Sequence, residues 1–298
     1  MICAEEQFAD LPSGIRLCYT DEGKGVPILL IIGLGFQLVH WPRAFIDALI
    51  AAGYRVITFD NRDSGRSTYL DGPVPNLRQK LFRRAPPGAY DLGDMALDSV
   101  ALMDHLRLDQ AHIVGMSMGG MIAQTIAARH PERVASLTSI FSSTGAKKVG
   151  QPGLRMMLEL SRKPATDRTA FIERRMVLSR FIGGKGFPAD PEEARETFAL
   201  SFDRGGLAQF AGTGRQIGAI IASGDRTAEL AKIHAPTLVI HGDRDPLVHP
   251  SGGRATAWAI NGARHETITG MGHEITAALA PRLSALITTH IREMEDPT

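Results

Sequence analysis

The sequence has few cysteines and no long apolar run. Only two of its 298 residues are cysteine. Cys3 and Cys18 are too few for a disulfide framework and do not form a cysteine-based metal site. The longest apolar run, residues 26–32, is far shorter than the roughly 20 residues of a membrane-spanning helix. The sequence therefore predicts neither a disulfide-stabilised scaffold nor a transmembrane protein, and we expect no metal.

A strong net charge is also lacking. The chain carries 33 basic and 32 acidic residues, a formal net charge of +1 at pH 7. This balance produces no field that would attract nucleic acid or an anionic membrane surface, so we expect a small, weakly charged partner molecule. Residues 1–10 lack the basic start and apolar core of a secretory signal, so we expect a cytoplasmic protein. The oligomeric state stays open.

The chain does contain the residues of an ordinary globular enzyme, with 44% apolar and 22% charged residues. Strand-like apolar runs alternate with helix-like segments, which predicts an α/β fold with a mostly parallel sheet and helices on both faces. We expect an opening antiparallel hairpin at 8–19. Further strands are predicted at 26–32, 54–60, 112–114, 134–141, 236–241 and 265–268, and helices at 41–52, 94–106, 118–130, 251–260 and 275–293.

This alternation is interrupted once. Residues 142–227 contain no convincing strand pattern and have helical segments rich in methionine, leucine and arginine. We predict a helical cap over 142–227, inserted into a core domain formed by 1–141 and 228–298. The alternative is a set of packing helices with no part in binding. The predicted cap helices cover 153–161, 170–181 and 191–202.

A proline-rich segment precedes the predicted helix at 94–106. Residues 70–89 read as an irregular loop, a pattern typical of binding loops or mobile segments. The basic side chains of this loop favour a solvated charged face over the lining of a substrate entrance. These side chains are Arg78, Lys80, Arg83 and Arg84.

A Gly-x-Ser-x-Gly motif lies where a predicted strand meets a predicted helix, at residues 115–119. A serine on so sharp a turn is held in a strained backbone conformation that lifts its hydroxyl above the sheet. The glycines allow strand and helix to approach closely. Ser117 is therefore a candidate nucleophile, and the alternative is a glycine-rich turn whose serine only caps the helix.

Polar residues follow two later strands of the predicted sheet. Reactive groups collect at the carboxyl ends of parallel strands, which singles out an aspartate after residue 240 and a histidine after residue 268. The order serine, aspartate, histidine is that of the hydrolase elbow fold. We predict His273 as the general base because glycines around it permit an exposed, sharply turned loop. His249, also in a loop, is its closest rival.

Two aspartates compete for the acidic role. Asp243 and Asp245 are two residues apart, and we expect only one of them to face His273. We predict that Asp245 is the acid and that Asp243 forms the turn by accepting hydrogen bonds from backbone N–H groups. Whether Asp243 shares the acid role stays open. The oxyanion of a tetrahedral intermediate needs two N–H donors, for which we predict Met118 and Leu34.

These motifs together resemble the α/β-hydrolase superfamily. Trp41-Pro42 and the Asp-x-Arg-Asp-x-Gly-x-Ser turn at 60–67 are similar to the subgroup that includes aclacinomycin methylesterase. Ile32 replaces the commoner histidine of the oxyanion motif, as it also does in that subgroup. The resemblance covers nearly the whole chain and implies an esterase without metal or organic cofactor. The site residues that it implies are Ser117, Asp245, His273, Leu34 and Met118.

The sequence thus predicts a carboxylic ester hydrolase with an acyl-enzyme intermediate. Its expected substrate is a bulky, uncharged small molecule, such as a polyketide methyl ester or a macrolide lactone. The same residues also fit a cofactor-free perhydrolase or a C–C bond hydrolase. A ligand receptor on the same fold is the alternative of a different class, and a serine-directed phosphonate separates it from an enzyme.

Overall fold

The computed structural model describes residues 4–160 and 165–295, and within them eight strands form one sheet in the order β1-β2-β4-β3-β5-β6-β7-β8. The strands β1 and β2 form the expected antiparallel hairpin, β2 runs antiparallel to β4, and the remaining pairings are parallel. This confirms the predicted α/β class. The strands are β1 Gln7–Asp10, β2 Arg16–Glu22, β3 Pro27–Ile31, β4 Arg55–Phe59, β5 Ala111–Met116, β6 Val134–Ile140, β7 Thr237–Gly242 and β8 Arg264–Ile268.

Helices cover both faces of this sheet. Side chains alternate along a strand, so Ile28 and Leu30 of β3 lie in one apolar cluster while Leu29 and Ile31 lie in the other. Both faces are therefore buried, as in most parallel sheets. The helices are α1 Arg43–Ala51, α2 Leu77–Phe82, α3 Leu92–His105, α4 Met118–Arg129, α5 Leu154–Leu160, α6 Arg168–Ile182, α7 Pro191–Gly205, α8 Ala208–Ser223, α9 Thr227–Leu230, α10 Ser251–Ala259 and α11 Ala280–Glu295.

Several helices differ from the sequence prediction. No helix was predicted over α8 or α9. The predicted loop at 70–89 contains α2, which begins with a reciprocal cap. The backbone N–H of Gln79 donates to Asn76 Oδ1, and the backbone N–H of Asn76 donates to Gln79 Oε1. Such a cap can stabilise a helix that has no apolar periodicity. The final helix begins at Ala280 rather than at residue 275, because Pro281 suits the first turn of a helix.

The predicted cap segment lies between β6 and β7. Its described residues form α5 to α8 and the first residue of α9, and they contain no strand. Phe171 and Met176 of α6 pack with Phe198 of α7 in a small apolar cluster of their own. Residue 161, the predicted end of the first cap helix, and Cys3 lie outside the described residues. The division into cap and core stays a prediction.

Two buried ion pairs join these helices to the turn after β4. The Arg204 guanidinium of α7 lies 2.8 Å from Asp60 Oδ2, and the Arg215 guanidinium of α8 lies 2.6 Å from Asp63 Oδ1. Both arginines are at most 8% exposed. The helices α7 and α8 are thus held at the carboxyl edge of the sheet. No described helix is both long enough and apolar enough to cross a bilayer.

Candidate active site

Ser117 forms the turn between β5 and α4. Its φ of 55° and ψ of −119° lie in a region that non-glycine residues rarely adopt. A Cβ atom at position 115 would overlap the Gly119 carbonyl, and one at position 119 would overlap the Ile31 carbonyl. The two glycines therefore let strand and helix close around the serine, as the motif predicted. The Ser117 side chain remains half-buried at the end of the sheet.

The structure brings three of the predicted residues together. His273 Nε2 lies 2.9 Å from Ser117 Oγ, and His273 Nδ1 lies 2.6 Å from Asp245 Oδ2. An ionised carboxylate only accepts hydrogen bonds, so Nδ1 carries the proton of a neutral imidazole and Nε2 is left to accept from the serine hydroxyl. The arrangement can therefore take a proton from Ser117.

Asp245 is held in its ionised form by its surroundings. The amides of Leu247 and Val248 donate to its Oδ1 at 2.9 and 2.8 Å. Burial raises the pKa of Asp245, but its electrostatic interactions and hydrogen bonds with His273 and His241 outweigh this and lower the pKa to about 2. The carboxylate is consequently charged at neutral pH.

His241 also lies at this site, beside Asp245, and is not among the predicted site residues. It is fully buried at the end of β7, and its Nε2 lies 2.9 Å from the Val248 carbonyl and 3.3 Å from Asp245 Oδ2. Both neighbours are acceptors, so this nitrogen carries a hydrogen. The four-residue spacing from Asp245 was the available signal, but a strand residue followed by a turn does not fix which way either side chain points.

The competing residues have other contacts. Asp243 Oδ1 accepts from the Gly270 amide at 2.7 Å, which ties the β7 turn to the loop that carries His273. His249 Nδ1 lies 3.0 Å from Ser251 Oγ. The geometry therefore places His273, rather than His249, beside Ser117, and Asp245, rather than Asp243, beside His273.

The two predicted oxyanion donors lie close to the nucleophile. Met118 is the first residue of α4, where helical amides lack a carbonyl partner in a preceding turn. Leu34 lies in a turn closed by a 3.2 Å hydrogen bond from the Phe36 amide to the Gly33 carbonyl. A Cβ atom at Gly33 would be only 3.2 Å from Ser117 Cβ, so this turn lies directly against the serine.

A cavity of about 250 Å³ lies beside this site. Its lining includes Phe36, Met116 and Glu274, which are sequence neighbours of site residues, whereas Ser117 and His273 are not part of the lining. Burial raises the pKa of Glu274, and its carboxylate accepts from Ser179 Oγ at 2.9 Å. Among the described residues, no group of three or more histidine, cysteine, aspartate or glutamate side chains could hold a metal ion.

The sequence profile of the alpha/beta hydrolase fold family matches residues 26–276. The chain belongs to this family. It is 32% identical over 294 residues to the rhodomycin D methylesterase DnrP of Streptomyces peucetius, covering 91% of this chain and 94% of that one. It is 33% identical over 286 residues to DauP of Streptomyces sp. strain C5, a protein of the same name, with 89% and 91% covered. The predicted resemblance to the methylesterase subgroup is confirmed.

A solved structure extends the likeness beyond sequence. The enol-lactonase of Burkholderia xenovorans LB400 superposes with a TM-score of 0.69 at 25% identity, covering 97% of this chain and 100% of the lactonase. A further relative matches over part of the chain: BpoC of Mycobacterium tuberculosis, whose name is that of a non-heme bromoperoxidase, is 35% identical over 122 residues, or 41% of this chain and 40% of that one. The family match and the two methylesterase relatives confirm the predicted class, an enzyme of the serine ester hydrolase type.

Proposed function

We propose that this protein is a carboxylic ester hydrolase that uses Ser117, His273 and Asp245 as a catalytic triad. The carrying observation is the continuous contact from serine to histidine to aspartate, at 2.9 and 2.6 Å. The aspartate is buried and charged, so it orients the imidazole and stabilises the imidazolium that forms during the reaction.

In the first half of the reaction, Ser117 Oγ attacks the ester carbonyl carbon while its proton passes to His273 Nε2. The carbonyl oxygen becomes an oxyanion, which the amides of Leu34 and Met118 stabilise. The tetrahedral intermediate then expels the alcohol oxygen, which takes the proton from His273. The products of this half are a free alcohol and an acyl group on Ser117.

In the second half, a water molecule replaces the alcohol. His273 accepts a proton from the water as its oxygen attacks the acyl carbon, and the same two amides hold the second oxyanion. Collapse of this intermediate breaks the bond to Ser117 Oγ and returns the proton to it. The acid product leaves and the enzyme is restored.

The proposed substrate is a bulky ester or lactone of the polyketide methyl ester or macrolide lactone type. Two relatives that match about nine-tenths of the chain are named rhodomycin D methylesterases, and a structural neighbour is an enol-lactonase. We also propose that residues 142–227 act as a cap over the substrate, because the buried pairs of Arg204 and Arg215 hold α7 and α8 at the catalytic edge.

A perhydrolase is the second candidate function. The partial likeness to a bromoperoxidase favours it, and a peroxide molecule could replace water in the second half of the same mechanism. The product would then be a peracid instead of an acid. Peracid formation from a nitrophenyl ester and hydrogen peroxide, faster than hydrolysis of the same ester in water by the same preparation, would favour this candidate.

The test is a panel of nitrophenyl esters of increasing chain length, polyketide methyl esters and macrolide lactones, with Ser117→Ala as the blank. In parallel, a fluorophosphonate probe should bind covalently to Ser117, increase the protein's mass by one phosphonyl group and abolish turnover. Turnover of at least one ester class, absent in the blank, is the expected result. No adduct at Ser117 and no turnover would contradict the proposal and favour a ligand receptor.

A further inference from the structure

A chain of hydrogen bonds leads from the helical segment after β6 to the Leu34 amide. The Arg175 guanidinium of α6 donates to the Gly35 carbonyl at 3.0 Å. The Gly35 carbonyl and the Phe36 N–H form one peptide unit, and this N–H donates to the Gly33 carbonyl at 3.2 Å. The amide of the Gly33 unit is that of Leu34. In a trans peptide the carbonyl and the amide point in opposite directions, so Leu34 N–H is the free end of this chain.

The peptide unit between Leu34 and Gly35 is fixed by a second side chain. The Gly35 amide donates to Gln216 Oε1 at 2.9 Å, and Gln216 Nε2 donates to the Arg62 carbonyl at 2.9 Å. Gln216 lies on α8 and is fully buried, so both ends of its amide are committed. Gln216 thus holds the peptide unit of residues 34 and 35, Arg175 holds that of residues 35 and 36, and the Phe36 amide in turn holds that of residues 33 and 34.

The helix α8 also packs directly on this turn. Gly35 has a φ of +64°, and a Cβ atom there would be 2.7 Å from Thr213 Oγ1. The turn therefore has no room for a side chain at this position. Its conformation depends on residues about 140 and 180 positions further along the chain.

Arg175 brings a positive charge to the head of this chain. Its guanidinium lies 5.2 Å from the ring centres of Phe36 and Phe171, as in cation–π contacts. Burial and the neighbouring Arg174 lower the pKa of Arg175 to about 10, so it is charged at neutral pH. Hydrogen bonds in a chain polarise one another, so a cation at one end makes the amide at the other end a stronger donor.

We propose that Arg175 and Gln216 are positioning residues for the oxyanion hole, acting on the Leu34 amide through the peptide units of residues 33–36. This inference rests on the proposed ester hydrolysis, in which Leu34 N–H stabilises the oxyanion. Neither side chain needs to touch the substrate. Their effect is on the transition state, in which the negative charge at the end of the chain exists, and not on the bound ester.

The main variant is Arg175→Met, which keeps much of the apolar stem but removes the charge and the donor. Loss of a direct oxyanion donor costs about 10²–10³-fold in kcat, so we expect about a tenfold loss for a group that acts through two peptide units. KM for a nitrophenyl ester should stay within about twofold. Binding of phenylboronic acid, which forms a tetrahedral adduct on the serine, should weaken by about the same factor as kcat.

Two further variants keep the test decisive. Arg175→Lys retains a charge and should recover part of kcat, whereas Gln216→Leu removes the second hold and should lower kcat in the same manner. The matched control is Arg168→Met on the same helix, because Arg168 pairs with Asp203 at the surface and does not contact the turn. If Arg175→Met does not fold by circular dichroism, Arg175→Lys with its intermediate kcat and boronate affinity carries the test.

The outcomes separate this inference from the proposed function. An active wild type whose Arg175→Met variant keeps its kcat, or changes only in KM, overturns the positioning role and leaves the esterase standing. A fall in kcat with unchanged boronate affinity also overturns it. A wild type with no turnover and no adduct at Ser117 overturns the proposed function and this inference together.

Discussion

Two aspartate-bearing turns lie at the same edge of the sheet and differ in their partners. The turn after β4 carries Asp60 and Asp63, which pair with arginines from α7 and α8. The turn after β7 carries Asp245, which lies against His273 and His241. All three carboxylates are at most 5% exposed.

The difference in partner decides what each carboxylate can do. An arginine keeps its proton throughout the accessible pH range, so its pair with aspartate is permanent and holds elements together. An imidazole can accept and release a proton near neutral pH, so its contact with aspartate supports proton transfer. The two turns therefore use the same acid, one for docking of helices and the other for the proposed catalysis.

The largest expected effect comes from cutting the catalytic contact at its reacting end. Ser117→Ala removes the nucleophile, and kcat/KM for a nitrophenyl ester should fall by about 10⁵-fold or more. Ser117 is only half-buried, and removal of its hydroxyl leaves the sheet intact, so the midpoint of thermal unfolding should change little. Steady-state kinetics and a thermal melt measure both, and a variant with more than a few per cent of wild-type activity would contradict the assignment.

The next effect separates the two aspartates of the β7 turn. Asp245→Asn should lower kcat by about 10⁴-fold, because the asparagine amide favours the wrong tautomer of His273. Asp243→Asn is the matched control, and it should cost less than tenfold because Asp243 contacts the Gly270 amide and Arg244 and not His273. A greater loss in Asp243→Asn would reverse the roles of the two residues.

The arginine-paired turn should respond in stability instead of chemistry. Arg204→Met leaves Asp60 buried without its cation, and breaking a buried pair in this way lowers the free energy of unfolding by about 3–5 kcal/mol. The folded fraction should keep a kcat close to that of the wild type. Urea titration at 25 °C measures the loss, and Arg168→Met, at an exposed pair, should leave the midpoint almost unchanged. A large loss of kcat with normal stability would remove the distinction between the turns.

A smaller effect is expected from pH. The pKa of Asp245 in the folded protein is about 2, below its ordinary value of 3.8. The stabilisation that its carboxylate gives to the folded state is therefore complete above about pH 4 and is lost as pH falls toward 2. The contribution is about 2 kcal/mol. Urea titrations of wild type and Asp245→Asn at pH 7 and pH 3 should show a weaker pH dependence in the variant. Equal pH dependence in both would show that another group accounts for acid unfolding.

Much of the site was predictable because its residues follow local patterns. Ser117 lies in a glycine motif at a strand–helix junction, Asp245 follows the buried strand β7, and His273 follows the strand β8. The α/β class follows from the alternation of elements. The α2 helix escaped prediction because its stability depends on the cap between Asn76 and Gln79 and not on a repeating apolar face.

The sequence by itself determined the strands of the sheet, the edge at which the predicted reactive groups gather and the order of the proposed triad residues. Only the tertiary structure decided which partner each buried polar group takes. Asp60 meets Arg204 across 144 positions, and Gly35 meets Gln216 across 181. No periodicity links residues so far apart, because contacts between the helices that follow β6 and the turns arise only when β6 and β7, on either side of those helices, pair in one sheet.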